Sequence, residues 1–197
     1  MKATPRPSRA VIVTGTPGTG KTTFAKSLAR ELNAKFVPLT RFVAANKLYS
    51  HFDLPRKSMV VDLGRVRTKL NALVSQTPGI TIVESHIPEQ IISKGLVKLV
   101  FVLRCHPRTL ERRLARKRWT QDKIRENVLA ELLDACLTSA VQYYGSRRII
   151  QIETTHMSVR KCIDIAKAYL TGSSGKQVKV DWIKTLDRKH QLDRYLR

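Results

Sequence analysis

Residues 15–22 read GTPGTGKT, and this segment constrains the fold of the 197-residue chain more than any other feature. The residues just before it, 10–14 (AVIVT), are apolar and mostly β-branched, which predicts a buried strand. After it, apolar residues recur at helical spacing at Phe24, Leu28 and Leu32, which predicts an amphipathic helix. The sequence therefore predicts a strand, a tight glycine-rich turn ending in Lys-Thr, and a helix in direct succession.

The turn matches the pattern G-x-x-x-x-G-K-[ST], which defines a P-loop. Its glycines let consecutive backbone N–H groups point into one concavity that holds a phosphate, and the positive end of the helix supports the same anion. The lysine is predicted to reach the β- and γ-phosphates of ATP, the next hydroxyl to bind Mg²⁺, and the one after it to contact the α-phosphate. The predicted ATP-binding residues of this segment are Gly15, Gly18, Thr19, Gly20, Lys21, Thr22 and Thr23.

Strand-like and helix-like segments alternate along the rest of the chain. Apolar, β-branched segments predict five strands, at residues 10–14, 35–39, 80–83, 99–103 and 149–152. After the P-loop helix, helical spacing and capping residues predict helices at residues 40–48 (capped by Thr40), from Asp62 onward, at 107–118, as one long helix at 122–143, and at 158–170 (capped by Ser158). Residues 49–57 are expected to be irregular. The alternation predicts an α/β fold, a five-stranded parallel sheet with helices on both faces.

The strand at residues 80–83 ends directly in a carboxylate, in the sequence GITIVESHIP. In a sheet of this kind the third strand lies beside the first, so Glu84 is expected to face the P-loop. A carboxylate there usually holds the Mg²⁺ of ATP, often through water. His86 is a candidate to orient a water molecule or contact a phosphate. The alternatives are that Glu84 is an ordinary surface or helix-start charge and His86 a neutral structural residue.

The charge of the chain is strongly positive. It has 37 Lys and Arg against 15 Asp and Glu, a formal net charge of +22. Such a field attracts polyanions, and nucleic acid is the obvious candidate, although most of these charges are expected to form a solvated surface.

The three cysteines, Cys105, Cys136 and Cys162, are far apart and do not have metal-binding spacing, which favours free thiols in a reducing, cytoplasmic location. No stretch approaches about 18 uninterrupted apolar residues, so no membrane span is expected. The amino terminus also lacks the apolar region of a secretory signal.

Cationic residues are concentrated in LRCHPRTLERRLARKRW, residues 103–119. A phosphoryl-transfer site needs cations around the transferred group, because negative charge spreads over its oxygens. Arg116 to Trp119 fall at a predicted junction between two helices, where a mobile lid is expected. For Arg108 and Arg112 a solvated helix face is the favoured interpretation.

Several segments together resemble a known family. GTPGTGKTT, the acid-x-His after the third strand, VFVLRCHPRTLERRL, and DKIRENVLAELLDA resemble the small archaeal and eukaryotic nuclear adenylate kinases over about residues 11–169. The VDW at residues 180–182 and the final YLR resemble archaeal tails of that family. The resemblance implies a kinase that converts ATP and AMP to two ADP, with ATPase activity. It also implies a role in rRNA maturation, with rRNA and a platform protein of the small ribosomal subunit as partners.

The resemblance also implies site residues. It places Glu84 and His86 at the family's acid and histidine positions and Lys117 at the position of its lid arginine. The candidate catalytic residues are Lys21, Glu84, His86, Arg116 and Arg118, with Arg116 or Arg118 as the substitute for that arginine. Lys117 would contact ATP, Thr22 and Glu84 would hold Mg²⁺, and Arg41 and Arg65 are the candidate AMP ligands. The implied segments are a kinase domain at 1–171 with an AMP-binding part at 38–61 and a lid at 116–126, followed by a basic extension at 172–197. Residues 172–175 (GSSG) read as a linker, and the extension after them as either a helix packed on the body or an arm for a partner.

The chain departs from the family pattern at three places. Glu84 stands where the family has Asp, residues 117–119 (Lys-Arg-Trp) stand for Arg-Gly-Tyr, and Ala44 stands where an arginine is expected to hold AMP. Two alternatives to a kinase therefore remain. One is a ribosome-assembly factor that is an ATPase only, and the other is a basic RNA-binding module with a vestigial nucleotide site.

Overall fold

The computed structural model describes residues 9–53, 58–173 and 179–196. Its strands are β1 (Arg9–Thr14), β2 (Lys35–Pro38), β3 (Tyr49–Asp53), β4 (Ser58–Val61), β5 (Ile80–Glu84), β6 (Val97–Arg104) and β7 (Ile149–Glu153). Its α-helices are α1 (Lys21–Glu31), α2 (Leu39–Ala45), α3 (Leu63–Gln76), α4 (Pro88–Ile91), α5 (Pro107–Arg116), α6 (Gln121–Leu132), α7 (Ala135–Tyr144), α8 (Val159–Thr171), α9 (Trp182–Asp187) and α10 (Asp193–Leu196).

The main sheet has five parallel strands in the order β2-β5-β1-β6-β7, which confirms the predicted fold class. The first strand is central, with β5 on one side and β6 on the other. Val13 of β1 pairs with Glu84 of β5, and Thr14 pairs with Val102 of β6. The carboxyl ends of three strands therefore meet at the edge from which the P-loop emerges.

Helices cover both faces of this sheet because successive side chains of a strand point to opposite sides. In β1, Ala10 and Ile12 pack into a core with side chains from α2, α3 and α7. Val11 and Val13 pack into a second core with side chains from α1 and α8. All four residues are completely buried, so β1 is the centre of both cores.

The prediction of one long helix at residues 122–143 is wrong. The chain forms α6 and α7, separated at Asp134, whose φ of 57° is left-handed. The carboxylate of Asp134 accepts a hydrogen bond from the Arg104 guanidinium at the end of β6. Because apolar side chains face the core on both sides of the break, the hydrophobic periodicity runs through it and does not reveal it.

Residues around the second strand also differ from expectation. The helix α2 begins at Leu39, with Pro38 at its N-cap position, and Thr40 is not its cap. The segment expected to be irregular contains β3 and β4, which pair as an antiparallel hairpin, while residues 54–57 lie outside the described residues.

The basic helix α5 ends at Arg116, two residues earlier than predicted. By contrast, Asp62 and Ser158 cap α3 and α8 through their side chains, as the sequence predicts for Ser158.

The residues at 179–196 pack on the body of the protein. Val180, Trp182, Leu186 and Tyr195 are buried in a third core with side chains of α5 and α6, such as Leu110, Leu114 and Val128. Of the two interpretations of this segment, the packed helix is therefore the one observed. Gly172 ends α8 with a φ of 78°. Residues 174 and 175 of the predicted linker, and residues 176–178 after it, lie outside the described part.

Within the described residues, no helix has both the length and the apolar character needed to cross a bilayer. The three cysteines are free thiols; Cys105 and Cys162 are buried and Cys136 is half-buried. Burial raises the pKa of the Cys105 thiol to about 11, so this group stays protonated at neutral pH.

Candidate active site

Two glycines of the P-loop are required by close packing. Gly15 has a φ of 136°, and a Cβ atom there would lie 2.4 Å from the carbonyl oxygen of Leu103. Gly18 has a φ of 93°, and a Cβ atom there would lie 2.8 Å from Leu110 and 2.9 Å from Leu114 of α5. The loop is therefore pressed between β6 and α5 with no room for side chains at these positions.

The P-loop is closed by hydrogen bonds to the backbone carbonyl of Thr16. This oxygen accepts bonds from the Thr19 N–H (3.2 Å), the Thr19 hydroxyl (2.8 Å) and the Lys21 ammonium (3.1 Å). The ammonium also donates to the Gly15 carbonyl at 2.7 Å. Burial lowers the pKa of Lys21, and the nearby Lys117 lowers it further, while Glu84 acts in the opposite direction. The ammonium is thus held by two neutral carbonyl oxygens, which interact with it less strongly than a phosphate bound in the loop would.

Glu84 lies beside the P-loop helix, as the strand order requires. The hydroxyl of Thr22 in the first turn of α1 donates to Glu84 Oε1 at 2.9 Å. A hydroxyl and a carboxylate at this distance are hard oxygen ligands of the kind that Mg²⁺ prefers.

His86 follows β5, two residues after Glu84, and it is close enough to Lys21 and Glu84 for their charges to act on its ring. Its side chain is exposed, but partial desolvation by the site lowers its pKa, and the Lys21 ammonium lowers it further, against the opposing effect of Glu84. The ring is therefore mainly neutral at pH 7, and it can donate one hydrogen bond and accept another.

A cavity of about 770 Å³ runs from the P-loop along α5 to the segment after β7. One part of its wall is cationic, formed by Arg113, Arg116 and Lys117. Another part is apolar, with Trp119, Met157 and Val159 among its lining residues. The cavity therefore combines the phosphate loop, cations and apolar side chains in one wall, and a nucleotide needs all three.

Arg113 and Thr154 are site residues that the sequence-based assignment missed. An Arg113 guanidinium nitrogen donates to the Thr154 carbonyl at 2.9 Å, and the Thr154 hydroxyl donates to the Thr19 carbonyl at 2.8 Å. Thr154 directly follows β7, so it lies at the same sheet edge as Glu84, and its position after a predicted strand was the available signal. Arg113 was one cation among many in its segment.

Three predicted site residues, all arginines, are not part of the described wall of this cavity. Arg41 is exposed and lines a separate groove of about 500 Å³ with Phe36 and Phe42. Arg65 is exposed in the first turn of α3, and Arg118 is exposed just after α5 with a φ of 57°. Among the described residues, none of these three arginines lines the cavity. Thr40 at the start of α2 lines it instead.

A buried carboxylate connects the P-loop to the rest of the molecule. Oε2 of Glu131 accepts a hydrogen bond from the Thr16 hydroxyl at 2.7 Å. Its Oε1 accepts from Arg104 Nε (2.8 Å), the Cys105 N–H (3.0 Å) and Trp182 Nε1 (3.0 Å). Glu131 is 2% exposed, and Arg104 is 1% exposed. Charge pairing and hydrogen bonds together satisfy both buried ions.

Sequence reasoning also missed Glu131, although a signal was present. It follows Ile124 by seven residues in α6, so it lies on the same helical face as Ile124 and Val128. A carboxylate on the apolar stripe of a helix indicates a buried partner of opposite charge.

Comparisons with known proteins identify the family of this chain and its relatives. Residues 11–134 match the family model AAA_18, described as an AAA domain. The chain is 34% identical over 157 residues to a protein of Saccharolobus solfataricus named "Putative adenylate kinase", a match covering 78% of this chain and 79% of that protein. A Methanosarcina acetivorans protein of the same name is 30% identical over 188 residues, covering 88% and 97%.

Solved structures show the same fold at low sequence identity. Shikimate kinase from Acinetobacter baumannii has a TM-score of 0.57 at 19% identity, covering 87% of this chain and 96% of that one. Deoxyadenosine kinase from M. mycoides has a TM-score of 0.55 at 13% identity, covering 84% and 100%. The chain belongs to the P-loop kinase family that the AAA-domain model describes, and the archaeal proteins are its relatives.

Proposed function

We propose that this protein is an adenylate kinase that transfers the γ-phosphoryl group of ATP to AMP and so forms two ADP. The observation that carries the proposal is one cavity whose wall contains Lys21 of the P-loop together with Arg113, Arg116 and Lys117. Phosphoryl transfer depends on cations positioned around the transferred group. The names of the archaeal relatives support ATP and AMP as the substrates.

In this proposal the P-loop backbone, from Gly15 to Gly20, holds the β-phosphate, and Thr23 contacts the α-phosphate. The Lys21 ammonium leaves the loop carbonyls and binds the β- and γ-phosphates. Thr22 and Glu84 would hold Mg²⁺, which supplies positive charge to the phosphate oxygens when bound. His86, being mainly neutral, would orient a water molecule or a phosphate oxygen.

The lid in this proposal is formed by residues 116–126. Arg116, Lys117 and Arg118 at its start would approach the transferred group when the lid closes, and closure would exclude water that otherwise hydrolyses ATP. The acceptor side is assigned to residues 38–61, because Thr40 of that segment lines the cavity. Arg41 and Arg65 remain proposed AMP ligands that would have to approach the cavity on closure. No covalent intermediate is needed, since alignment and charge neutralisation suffice.

The decisive experiment measures ADP formation from ATP by the purified protein, with and without AMP. We expect two ADP for each ATP consumed, dependence on AMP, and loss of activity when EDTA removes Mg²⁺. Release of inorganic phosphate at the same rate without AMP, and no conversion of AMP, would contradict the kinase and favour an ATPase alone.

A role in maturation of the small ribosomal subunit, in the cytoplasm, is also proposed, with rRNA and a platform protein of the subunit as partners. The net charge of +22 supports a polyanionic partner. The affinity for an rRNA fragment is expected to fall linearly on a plot of log affinity against log salt, because bound cations are released from the phosphates. Binding that is absent, or independent of salt, would contradict this part of the proposal.

A further inference from the structure

The helix α9 is joined to the P-loop through a single carboxylate. Trp182 Nε1 donates to Oε1 of Glu131 at 3.0 Å, and the Thr16 hydroxyl donates to Oε2 of the same group at 2.7 Å. Thr16, Glu131 and Trp182 are 1%, 2% and 5% exposed, so bulk water has little access to replace either hydrogen bond. Trp182 and the P-loop therefore share one rigid acceptor, although they are distant in the sequence.

The Thr16 end of this connection is the centre of the loop. Its backbone carbonyl accepts hydrogen bonds from Thr19 and from the Lys21 ammonium. A change in the backbone orientation of Thr16 would move this carbonyl. The directions of the loop N–H groups and of the Lys21 ammonium would then change as well. The Glu131 carboxylate opposes such a change by holding the Thr16 side chain.

The Trp182 end is also fixed. The Asp181 carboxylate caps α9 by accepting a bond from the Lys184 N–H at 2.9 Å. The indole ring contacts the His106 ring edge to face, with 5.3 Å between the ring centroids. The indole N–H is thus aimed at Glu131 by the packing of its own helix, and it restricts the orientation of the carboxylate.

We propose that Trp182 is a positioning residue for the donor nucleotide, acting through Glu131 on Thr16 of the P-loop. The inference rests on the proposed function in so far as the P-loop binds the phosphates of ATP. The competing interpretation is that Trp182 only fills the third core. The two interpretations differ in the effect of removing the indole N–H while an aromatic ring stays in the core. Nucleotide affinity falls if Trp182 is a positioning residue, and it is unchanged if Trp182 only fills the core.

The test is Trp182→Phe, which keeps an aromatic ring in the core and removes the donor. Glu131 retains its bonds to Arg104 and Cys105, so the variant is expected to fold. The Kd of the slowly hydrolysed analogue AMP-PNP with Mg²⁺, measured by calorimetry, is expected to rise about three- to fivefold, the effect of about one hydrogen bond. In turnover, KM for ATP rises by the same factor and kcat stays within about twofold, because the loop holds ground state and transition state alike.

The matched control is Tyr195→Ala. Tyr195 is buried in the third core on α10, so its loss lowers thermal stability, but it leaves α9 and the indole N–H in place. This control is expected to melt at a lower temperature than the wild type and to bind AMP-PNP normally. If Tyr195→Ala weakens binding as much as Trp182→Phe does, loss of stability alone explains the effect and the proposal is overturned.

A double-mutant cycle that combines Trp182→Phe with Thr16→Val tests whether Glu131 couples Trp182 to the P-loop. Thr16 and Trp182 bond to different oxygens of Glu131, so the two substitutions should be non-additive only if the carboxylate couples them. We expect Trp182→Phe to change the Kd by less than about twofold when Thr16→Val is already present. Full additivity, or no effect of Trp182→Phe alone, overturns the inference while the wild type still binds AMP-PNP. Failure of the wild type to bind AMP-PNP would overturn the proposed function, and this inference with it.

Discussion

Lys21→Ala is expected to lower kcat/KM for ATP by at least about a hundredfold, the usual effect of removing one preorganised group that stabilises transition-state charge. The ammonium lies on the carbonyls of Gly15 and Thr16, so its loss leaves the phosphate concavity without its cation. Both AMP-dependent ADP formation and any AMP-independent ATP hydrolysis should fall together. Initial rates over a range of ATP concentrations measure the change.

Lys26→Ala is the matched control, because Lys26 is an exposed lysine on the same helix. It changes net charge equally and should leave kcat/KM within about twofold of the wild type, as is usual for surface substitutions. Retention of either activity in Lys21→Ala would contradict the assignment of the P-loop as the ATP site.

Glu131→Ala is expected to lower the free energy of unfolding by about 3 kcal/mol, the lower end of the usual cost of breaking a buried ion pair. The Arg104 guanidinium loses its buried carboxylate, and Cys105, Trp182 and Thr16 lose an acceptor. The cost stays at the lower end because Asp134 and Gln151 still face the guanidinium. Equilibrium unfolding in urea measures it from the shift of the midpoint at constant slope.

Two further variants separate charge from packing. Glu126→Ala removes an exposed carboxylate from the same helix and should change the unfolding free energy by less than about 0.5 kcal/mol. Glu131→Gln keeps the shape and most acceptor geometry, so its cost should lie between those of the two alanine variants. A Glu131→Ala protein as stable as the wild type would show that the buried network contributes nothing to folding.

The elements that are determined by a local sequence pattern could be predicted from the sequence. The P-loop is contiguous, and β1 and α1 beside it have periods of two and 3.6 residues. The strand order then followed from the fold class, and it placed Glu84 beside Thr22 without any long-range information. These predictions succeed because the determining residues are neighbours in the sequence or ends of adjacent strands.

The parts that depend on distant side chains could not be predicted in the same way. The break at Asp134 is tied to Arg104, which precedes it by thirty residues. The role of Glu131 depends on Trp182 and Thr16, which come from two other elements, and periodicity does not report such partners. The segment of β3 and β4 contains Pro55, so the sequence predicts an irregular stretch there, and the pairing of the two strands is not visible in it.

The third core has a consequence for the order in which the molecule can form during synthesis. Its side chains come from residues 105–132 and from residues 180–195, which are made later. Until the later residues emerge, α5 and α6 carry an uncovered apolar surface, and Glu131 lacks the indole donor. The sheet can assemble earlier, because β7 ends at Glu153. A growing chain would therefore build its sheet before its phosphate loop is fully supported, and nucleotide binding would mature last.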